Sequence, residues 1–336
     1  MENENPLLIL STGDPAGIGP EIAVKALAAL KGSLQGTVIP VFDRDTLRDA
    51  LSLTGLPLVP LEIEKPEDAF SSPPGSLPYM AVPPWTEGPV PRSVPSRASG
   101  EMTLAILRKA FDLCGATEGS VLVTGPVNKV SLAMAGWEGV GHTEVLKAWA
   151  GAGDVETVFC LGELCVFFLT RHMSLRQALG EVREEKVFQG IMSIHRHMTS
   201  LGFKEPRIAV PGLNPHGGEG GLFGREEIEE LEPAIARARA SGITVLGPVG
   251  ADSLYHQGLE GACDAILSLY HDQGHIALKT RDFYGTVTMT LGLPFLRTSV
   301  DHGTGYDIAW QGKASERSLL EAFRLALRHG AVRNSR

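Results

Sequence analysis

The sequence has no long apolar run and no recognisable export signal. It contains no stretch of about 18 uninterrupted apolar residues, which is roughly the length that a membrane-spanning helix needs. Its first residues, Met-Glu-Asn-Glu-Asn, lack the basic side chains with which a signal peptide begins. We therefore expect a cytoplasmic protein that does not enter a membrane.

Cysteine is scarce, and its spacing argues against a thiolate metal site. The four cysteines form no C-x-x-C pair, and each lies in or beside an apolar run. Residues in that setting are expected to be reduced and buried in the core. They are Cys114, Cys160, Cys165 and Cys263.

An excess of positive charge is also absent. The chain has 39 acidic and 30 basic residues, which gives a net charge of -9. This balance provides no electrostatic footprint for nucleic acid or for an anionic membrane, so small molecules are the expected ligands. The length of 336 residues, with 43% hydrophobic residues, exceeds the usual size of a single core and predicts two α/β lobes.

Short apolar runs alternate with helical periods along the chain. A strand over residues 6–10 leads into a Gly-rich turn, and a helix is predicted to begin at Pro20, because proline is favoured at the first helical position. The alternation predicts an α/β fold with mostly parallel sheets covered by helices. Further strands are predicted over residues 36–42, 119–123, 164–169, 207–210, 242–246 and 264–269, and helices over 102–113, 187–201 and 225–240.

Residues 57–95 depart from this alternation. They are rich in Pro and Ser and have weak periodicity. Because strand and helix patterns resume directly on either side, we interpret the segment as a long surface excursion within one lobe rather than as a linker.

Three histidines follow predicted strands. His172, His216 and His271 end the sequences Phe-Leu-Thr-Arg-His, Gly-Leu-Asn-Pro-His and Leu-Ser-Leu-Tyr-His. Strand ends are where an open α/β sheet builds its site. Three neutral imidazoles from separate strand ends can hold a divalent metal and leave coordination positions for substrate. The pattern predicts a catalytic metal site.

A fourth histidine, His275, lies four residues after His271. On a helix that spacing would let both side chains bind one metal. Gly274 and the strand that precedes the pair favour a loop instead. We therefore assign only His271 to the metal and keep His275 as the second choice.

Other segments have features of anion sites. His142 and Thr143 stand near the start of a predicted helix, where backbone N–H groups and the helix dipole favour phosphate or carboxylate. For His142 alone, a surface or capping role is the alternative. The turn at residues 124–129 offers free amides and Lys129, and Arg297 suits bidentate recognition of an anion.

Two Gly-rich segments need separate interpretations. Residues 12–21 lack the spacing of the dinucleotide motif G-x-G-x-x-G, and a tight strand-to-helix turn is the alternative to a functional role. Residues 211–227 hold six glycines around His216. Ordering so many glycines costs backbone entropy, which favours a function for this loop.

Together these segments resemble the 4-hydroxythreonine-4-phosphate dehydrogenase family of vitamin B6 synthesis. The matching motifs run in family order from residue 12 to residue 304, so the resemblance covers essentially the whole chain. The motifs are Gly-Asp-Pro-Ala-Gly-Ile-Gly-Pro-Glu, Thr-Gly-Pro-Val-Asn-Lys, Gly-His-Thr-Glu, Leu-Asn-Pro-His-Gly-Gly-Glu-Gly-Gly, Tyr-His-Asp-Gln-Gly-His and Arg-Thr-Ser-Val-Asp-His-Gly-Thr.

The resemblance implies a two-lobed α/β/α architecture like that of isocitrate and isopropylmalate dehydrogenases, with the active-site cleft between the lobes. It implies one catalytic unit whose two subdomains are discontinuous in sequence, and a homodimer with active sites shared between subunits. It also implies NAD or NADP as cofactor and one divalent metal per site, which would be Zn, Mg or Co.

The resemblance also assigns roles to individual residues. His172, His216 and His271 match the family's metal ligands, and Lys279 is the candidate for proton transfer, with simple anion binding as the alternative. One position departs from the family pattern: Thr288 stands where asparagine is usual, and threonine is shorter and has one polar side-chain atom instead of two. The substrate-binding positions are therefore His142, Thr143, Lys279 and Arg297, which match the family, and Thr288, which departs from it.

The implied reaction is oxidation of 4-hydroxythreonine 4-phosphate followed by decarboxylation to 3-amino-2-oxopropyl phosphate. The metal would assist hydride transfer to NAD and then the loss of carbon dioxide. Because Thr288 departs from the pattern, D-threonate or D-erythronate 4-phosphate is the alternative substrate. Aromatic dihydrodiols, used by another branch, are less favoured because the anion-binding residues are retained.

Two other classes of protein are alternatives to a dehydrogenase. A metal-dependent hydrolase would use the same histidines with Asp272 or Asp301 as a general base. A phosphometabolite-binding protein would keep the anion site without turnover. The presence of all three histidines favours the dehydrogenase over both.

Overall fold

The computed structural model describes residues 6–30, 36–139 and 141–333, with side chains described up to residue 330. The predicted absence of a signal peptide concerns residues 1–5, which lie outside this range. The chain divides into two units: unit 1 combines residues 1–156 with 287–336, and unit 2 comprises residues 157–286. Each unit contains both strands and helices, so the predicted α/β class with two lobes is confirmed.

Unit 1 is built on a mostly parallel sheet. Its strands are β1 (Leu7–Ser11), β2 (Thr37–Phe42), β3 (Val59–Glu62), β4 (Ser76–Ala81), β5 (Val121–Thr124), β11 (Val287–Leu291) and β12 (Leu296–Val300). They are arranged in the order β3-β4-β2-β1-β5-β12-β11, and the β12–β11 pair is antiparallel. The central strands are continuous apolar runs because both faces of a parallel sheet are covered.

The helices of unit 1 begin at residues suited to capping. Asp43, Ser96 and Asn128 each accept a backbone N–H hydrogen bond in the first turn of the helix that follows. The helices are α1 (Gly19–Leu30), α2 (Arg44–Thr54), α3 (Arg97–Ala116), α4 (Lys129–Met134), α5 (His142–Ala150) and α11 (Arg317–Arg333). One core cluster packs α3 against β1, β2 and β5 through residues such as Ile9, Ile39, Ile106 and Leu122.

Unit 2 has the strand order β6-β7-β10-β8-β9, with an antiparallel β6–β7 hairpin and parallel pairs elsewhere. Its strands are β6 (Glu156–Leu161), β7 (Leu164–Phe168), β8 (Ile208–Pro211), β9 (Val245–Val249) and β10 (Ala265–Ser268). Its helices are α6 (Leu175–Gly180), α7 (Glu184–Ser200), α8 (Glu232–Ala240), α9 (Ala251–Leu259) and α10 (His271–Arg281). A second core cluster joins β7 and β10 to α9 and α10.

A strand or helix is found at each predicted segment, but three features differ from the sequence prediction. Residues 57–95 lie within unit 1 as predicted, yet they contain β3, a 3-10 turn (Pro66–Ser71) and β4, whose prolines and exposed side chains conceal the strand pattern. The antiparallel pairs were not predicted. The helix predicted over residues 225–240 opens with a π-helical turn (Glu227–Leu231) before α8.

The predictions about cysteines and about membrane-spanning helices can be compared with the structure. All four cysteines are buried and none forms a disulfide, as predicted. In the described part of the chain, no helix combines the length and the apolar character needed to cross a bilayer.

Candidate active site

The three predicted metal-binding histidines lie at the carboxyl ends of neighbouring parallel strands in unit 2. His172 follows β7, His216 follows β8, and His271 follows β10 as the first residue of α10. Since β10 lies between β7 and β8, the three loops are adjacent at one edge of the sheet. The ring centroids of His172 and His271 are 6.1 Å apart.

The donor set at this edge suits a divalent metal. Neutral imidazoles bind Zn and related metals, and the side chains of His172 and His216 are exposed, where an ion can reach them. Among the described residues, however, no three His, Cys, Asp or Glu side chains are already gathered into a metal-binding group. The assignment of the three histidines as ligands therefore stays a prediction.

The prediction of a loop around His275 is wrong, because His271 and His275 lie on α10. Gly274 does not interrupt this helix; a Cβ there would lie 2.5 Å from the Ser268 Oγ, so glycine allows the helix to pack closely on β10. The two imidazole rings stack with centroids 3.9 Å apart. The His275 ring also lies 4.6 Å from that of Phe168, which gives it a packing role in addition to any metal contact.

Asp272 contacts the neighbouring imidazole. The Nδ1 of His271 lies 2.7 Å from the Asp272 Oδ1. A carboxylate at that position accepts a hydrogen bond from Nδ1–H and leaves the Nε2 lone pair for a metal, as outer-shell carboxylates do in known metal sites. Asp272 is thus placed to orient a ligand, a role that sequence reasoning did not assign to it.

Hydrogen bonds tie the three histidine-bearing loops together. The Thr170 hydroxyl donates to the Leu269 carbonyl oxygen at 2.8 Å, which links the end of β7 to that of β10. The Gln273 side chain accepts from the Leu269 N–H at 2.8 Å and donates to the Gly212 carbonyl oxygen at 3.0 Å, which links β10 to β8. Sequence reasoning missed both side chains, although Gln273 stands inside the Tyr-His-Asp-Gln-Gly-His motif.

Unit 1 contains a cationic centre at Arg297 on β12. The guanidinium is buried, and it donates to the Thr124 hydroxyl at 2.8 Å and to the Thr290 hydroxyl at 2.9 Å. Burial lowers the pKa of Arg297 to about 10, and the charge of Glu144 opposes that shift. The side chain stays cationic at neutral pH without a carboxylate within ion-pair distance in the described residues. A ligand anion would supply the missing countercharge.

His142 and Thr143 begin α5 in the same unit. The Nε2 atom of His142 is buried and has no hydrogen-bond partner. Burial, together with the nearby charge of Arg297, holds the pKa of His142 well below its ordinary value, so the ring is neutral. An unpartnered buried nitrogen beside a buried cation is what a polar ligand could satisfy.

The other two predicted substrate residues have simple surroundings. Thr288 is buried on β11, and its hydroxyl donates to the Ser299 carbonyl oxygen at 3.3 Å. Lys279 is on the last turn of α10 in unit 2, with its Nζ 5.4 Å from the centroid of the Phe283 ring. Neither contact tests a role in substrate binding.

The Gly-rich turn after β1 is tightly packed. Gly13 has a φ of 83°, and a Cβ on Gly17 would lie 2.8 Å from the side chain of Thr304. The Asp14 carboxylate is buried and accepts hydrogen bonds from the Tyr306 hydroxyl at 2.6 Å and from the Ala16 N–H at 2.8 Å. Burial raises the pKa of Asp14, against the effect of these donors. The turn therefore joins the loop that follows β12, a contact that the sequence did not predict.

The sequence profile described as "Pyridoxal phosphate biosynthetic protein PdxA" matches residues 35–326. The chain belongs to the PdxA family. A protein of Cutibacterium acnes provisionally named D-threonate 4-phosphate dehydrogenase is 43% identical to it over 332 residues, which cover 96% of this chain and 93% of that protein. A similarly named protein of Halalkalibacterium halodurans is 41% identical, with 97% and 98% covered.

Solved structures of dehydrogenases have the same fold. The crystal structure of a 4-hydroxythreonine-4-phosphate dehydrogenase from Klebsiella pneumoniae is 38% identical, with a TM-score of 0.84 and coverage of 97% of this chain and 98% of that one. A terephthalate 1,2-cis-dihydrodiol dehydrogenase from Burkholderia xenovorans is 30% identical, with a TM-score of 0.63 and coverage of 96% and 98%. The relatives are dehydrogenases, and this PdxA-family chain is an oxidoreductase.

Proposed function

We propose that this chain catalyses the metal-dependent, NAD- or NADP-linked oxidation and decarboxylation of a small phosphorylated hydroxy acid. The observation that carries the proposal is the placement of His172, His216 and His271 at the ends of three adjacent parallel strands. Membership of the PdxA family supports the reaction class. We assign all the candidate residues to this one activity.

We assign the metal to His172, His216 and His271, with Zn, Mg or Co as the ion. When bound, such an ion polarises a substrate hydroxyl for hydride transfer and stabilises the charge that develops as carbon dioxide leaves. The carboxylate of Asp272 orients the His271 ring, while Thr170 and Gln273 hold the loops in register. Preorganised ligand loops lower the cost of assembling the site.

We assign substrate recognition to His142, Thr143, Thr288, Arg297 and Lys279. Arg297 is a buried cation and His142 a neutral ring whose Nε2 atom is buried, so together they offer a charge and a hydrogen-bonding nitrogen to a phosphate or carboxylate. Lys279 is the candidate proton donor to the carbon that loses carbon dioxide. Its alternative role is that of a second cation for the substrate.

For the substrate we favour D-threonate 4-phosphate, with 4-hydroxythreonine 4-phosphate as the second candidate. Relatives at 41–43% identity carry the first name, and a solved relative at 38% carries the second. The two acids differ at position two, where one has a hydroxyl group and the other an amine. Thr288 offers a single hydroxyl, already directed at the backbone, and lacks the amide that the main branch has at this position.

We also propose that the chain acts as a homodimer with shared active sites. Large apolar side chains are exposed on the segments that carry the three histidines, and a second copy of the chain would remove them from water. They include Met173, Leu175, Leu222, Phe223 and Ile276. Light scattering should give twice the mass of the 35.9 kDa chain; a monomeric mass with full activity would contradict this part of the proposal.

The deciding experiment measures the increase in absorbance of the reduced nicotinamide cofactor. Each candidate acid is assayed with NAD or NADP and with Zn, Mg or Co added. We expect turnover that requires a metal, is lost on chelation, and releases one carbon dioxide per reduced cofactor. Phosphate release without cofactor reduction would identify a hydrolase instead. Tight binding of the acid without turnover under any condition would identify a phosphometabolite-binding protein.

A further inference from the structure

The loop that carries His216 has an unusual backbone. Residues 216–221 have positive φ values, from 45° at Glu219 to 96° at Gly221. Glycine adopts this region freely, but His216, with a φ of 54°, and Glu219 do not. A side chain that avoids this region is held there only when its surroundings impose the conformation. The loop must therefore be fixed by contacts from outside it.

The contacts come from the carboxylate of Glu227. This side chain is buried, with 2% exposure. Its Oε1 accepts hydrogen bonds from the backbone N–H groups of Leu213 and Asn214, both at 2.8 Å, and its Oε2 accepts one from the Asn214 Nδ2 at 2.9 Å. A Cβ on Gly218 would lie 2.6 Å from Oε2. The carboxylate thus binds the loop before His216 and occupies the space that a side chain at Gly218, after His216, would need.

The geometry around Glu227 is specialised for this contact. Glu227 is the first residue of the π-helical turn that precedes α8, and such irregular turns are frequent at functional sites. Within the described ranges no lysine, arginine or histidine forms an ion pair with its carboxylate, and its hydrogen bonds go to the loop before His216. A buried carboxylate is a costly way to anchor a loop unless the position of that loop matters.

We propose that Glu227 is a positioning residue for metal binding, which fixes the backbone of the His216 loop so that the imidazole is presented to the metal. The inference rests on the proposed function, because it needs His216 to be a ligand. Glu227 itself does not touch the metal or the substrate in this role. Its removal should weaken metal binding while the enzyme, once loaded, keeps its turnover number.

The test uses Glu227→Gln. Glutamine has nearly the same shape, and its Oε1 can still accept from the N–H groups of Leu213 and Asn214, but its amide nitrogen would face the Asn214 Nδ2, donor to donor. The matched control is Glu229→Gln, which removes the same charge from an exposed side chain paired with Arg225. Metal-free protein is titrated with Co²⁺, and binding is followed by the visible absorption of the bound ion.

For Glu227→Gln we expect the dissociation constant for Co²⁺ to rise about tenfold or more, as for other changes in the outer shell of a metal site. The kcat at saturating Co²⁺ and the melting temperature of the metal-free protein should stay near the wild-type values. Glu229→Gln should match the wild type in all three measurements. The proposal would be overturned if Glu227→Gln bound Co²⁺ with unchanged affinity, whether or not its melting temperature fell.

A third variant separates this inference from the proposed function. His216→Ala should lose Co²⁺ binding; if it binds Co²⁺ like the wild type, the proposed metal site itself is wrong. If His216→Ala loses binding and Glu227→Gln does not, only the positioning role fails. Should Glu227→Gln not fold, Asn214→Ala keeps the carboxylate and removes one of its three hydrogen bonds, together with the bond from Asn214 to Glu226. That variant should also weaken Co²⁺ binding, and unchanged affinity would count against the proposal.

Discussion

At the scale of single residues, burial of charge is what makes Arg297 informative. Its guanidinium is 4% exposed and is held by two threonine hydroxyls rather than by a carboxylate. A ligand anion is attracted more strongly to a buried cation than to an exposed one, because solvent screens the buried charge less. The planar group can also bind both oxygens of one phosphate or carboxylate, which an ammonium group cannot do.

We expect Arg297→Lys to raise the KM for the phosphorylated substrate by roughly tenfold or more, which corresponds to about 1.4 kcal/mol. Because lysine keeps the positive charge, the increase in KM measures the loss of the paired N–H donors of the guanidinium group. Initial rates of cofactor reduction give the value. Arg108→Lys, an exposed change on α3 where the arginine pairs with Asp112, is the control and should leave KM unchanged. An unaltered KM in Arg297→Lys would show that the side chain faces elsewhere.

Thr288 is the residue at which substrate choice can be tested. Thr288→Asn should raise the ratio of kcat/KM for 4-hydroxythreonine 4-phosphate over that for D-threonate 4-phosphate. An amide adds a donor and an acceptor, and a site that hydrogen-bonds one substrate group discriminates against an analogue without it. Both acids are assayed at saturating metal. A flat ratio with both efficiencies reduced would mean that Thr288 only packs beside Ser299.

At the scale of secondary-structure elements, α10 decides the relation between two histidines. The helix stacks the His275 ring on that of His271, and the His275 Nδ1 lies 2.9 Å from the His271 carbonyl oxygen. His275 therefore has a structural contact that needs no metal. His172, His216 and His271 instead follow strand ends that the side chains of Thr170 and Gln273 tie together.

This arrangement predicts unequal effects of alanine substitutions. His172→Ala, His216→Ala and His271→Ala should each remove the bound metal and nearly all turnover while the circular dichroism spectrum stays that of the wild type, since each residue is a large share of a three-ligand site. His275→Ala should retain the metal and show a milder loss. Metal content by elemental analysis measures this. If His275→Ala lost the metal and His271→Ala retained it, His275 rather than His271 would be the metal ligand.

At the scale of the whole molecule, a buried histidine on α11 links stability to pH. Burial, with a smaller effect from the charge of Arg328, lowers the pKa of His329 to about 4. In the unfolded chain this imidazole takes up a proton as the pH falls below its ordinary pKa, near 6.5. In the folded chain it takes up the proton only near pH 4. The folded protein therefore loses stability through this residue as the pH falls from about 6.5 to about 4, and it keeps that stability above about pH 6.5.

The expected size of this effect is about 2 kcal/mol between pH 7 and pH 5. His329→Leu should make the free energy of unfolding in urea less dependent on pH over that interval by about this amount. His256→Leu, the same substitution at an exposed position, provides the control. An equal pH dependence in His329→Leu and the wild type would show that His329 takes up its proton at the same pH in the folded and unfolded states.

The sequence determined the features that depend on local pattern. Strands such as β1, β5 and β10 are continuous apolar runs, and such runs are visible in one dimension because a parallel sheet is covered on both faces. The three histidines were placed correctly at strand ends for the same reason: the end of an apolar run marks the end of a strand. The family also follows from motifs whose order is read directly from the chain.

Only the tertiary structure decided which side chains meet. The contacts of Arg297 with Thr124, of Tyr306 with Asp14 and of Gln273 with Gly212 join residues from different segments of the chain, and no local periodicity encodes such pairs. The helical state of the His271–His275 segment also needed the fold, because close packing on β10 makes Gly274 favourable where its propensity alone is not. Hydrophobic pattern sets the elements, whereas burial and hydrogen-bond pairing between distant segments set the site.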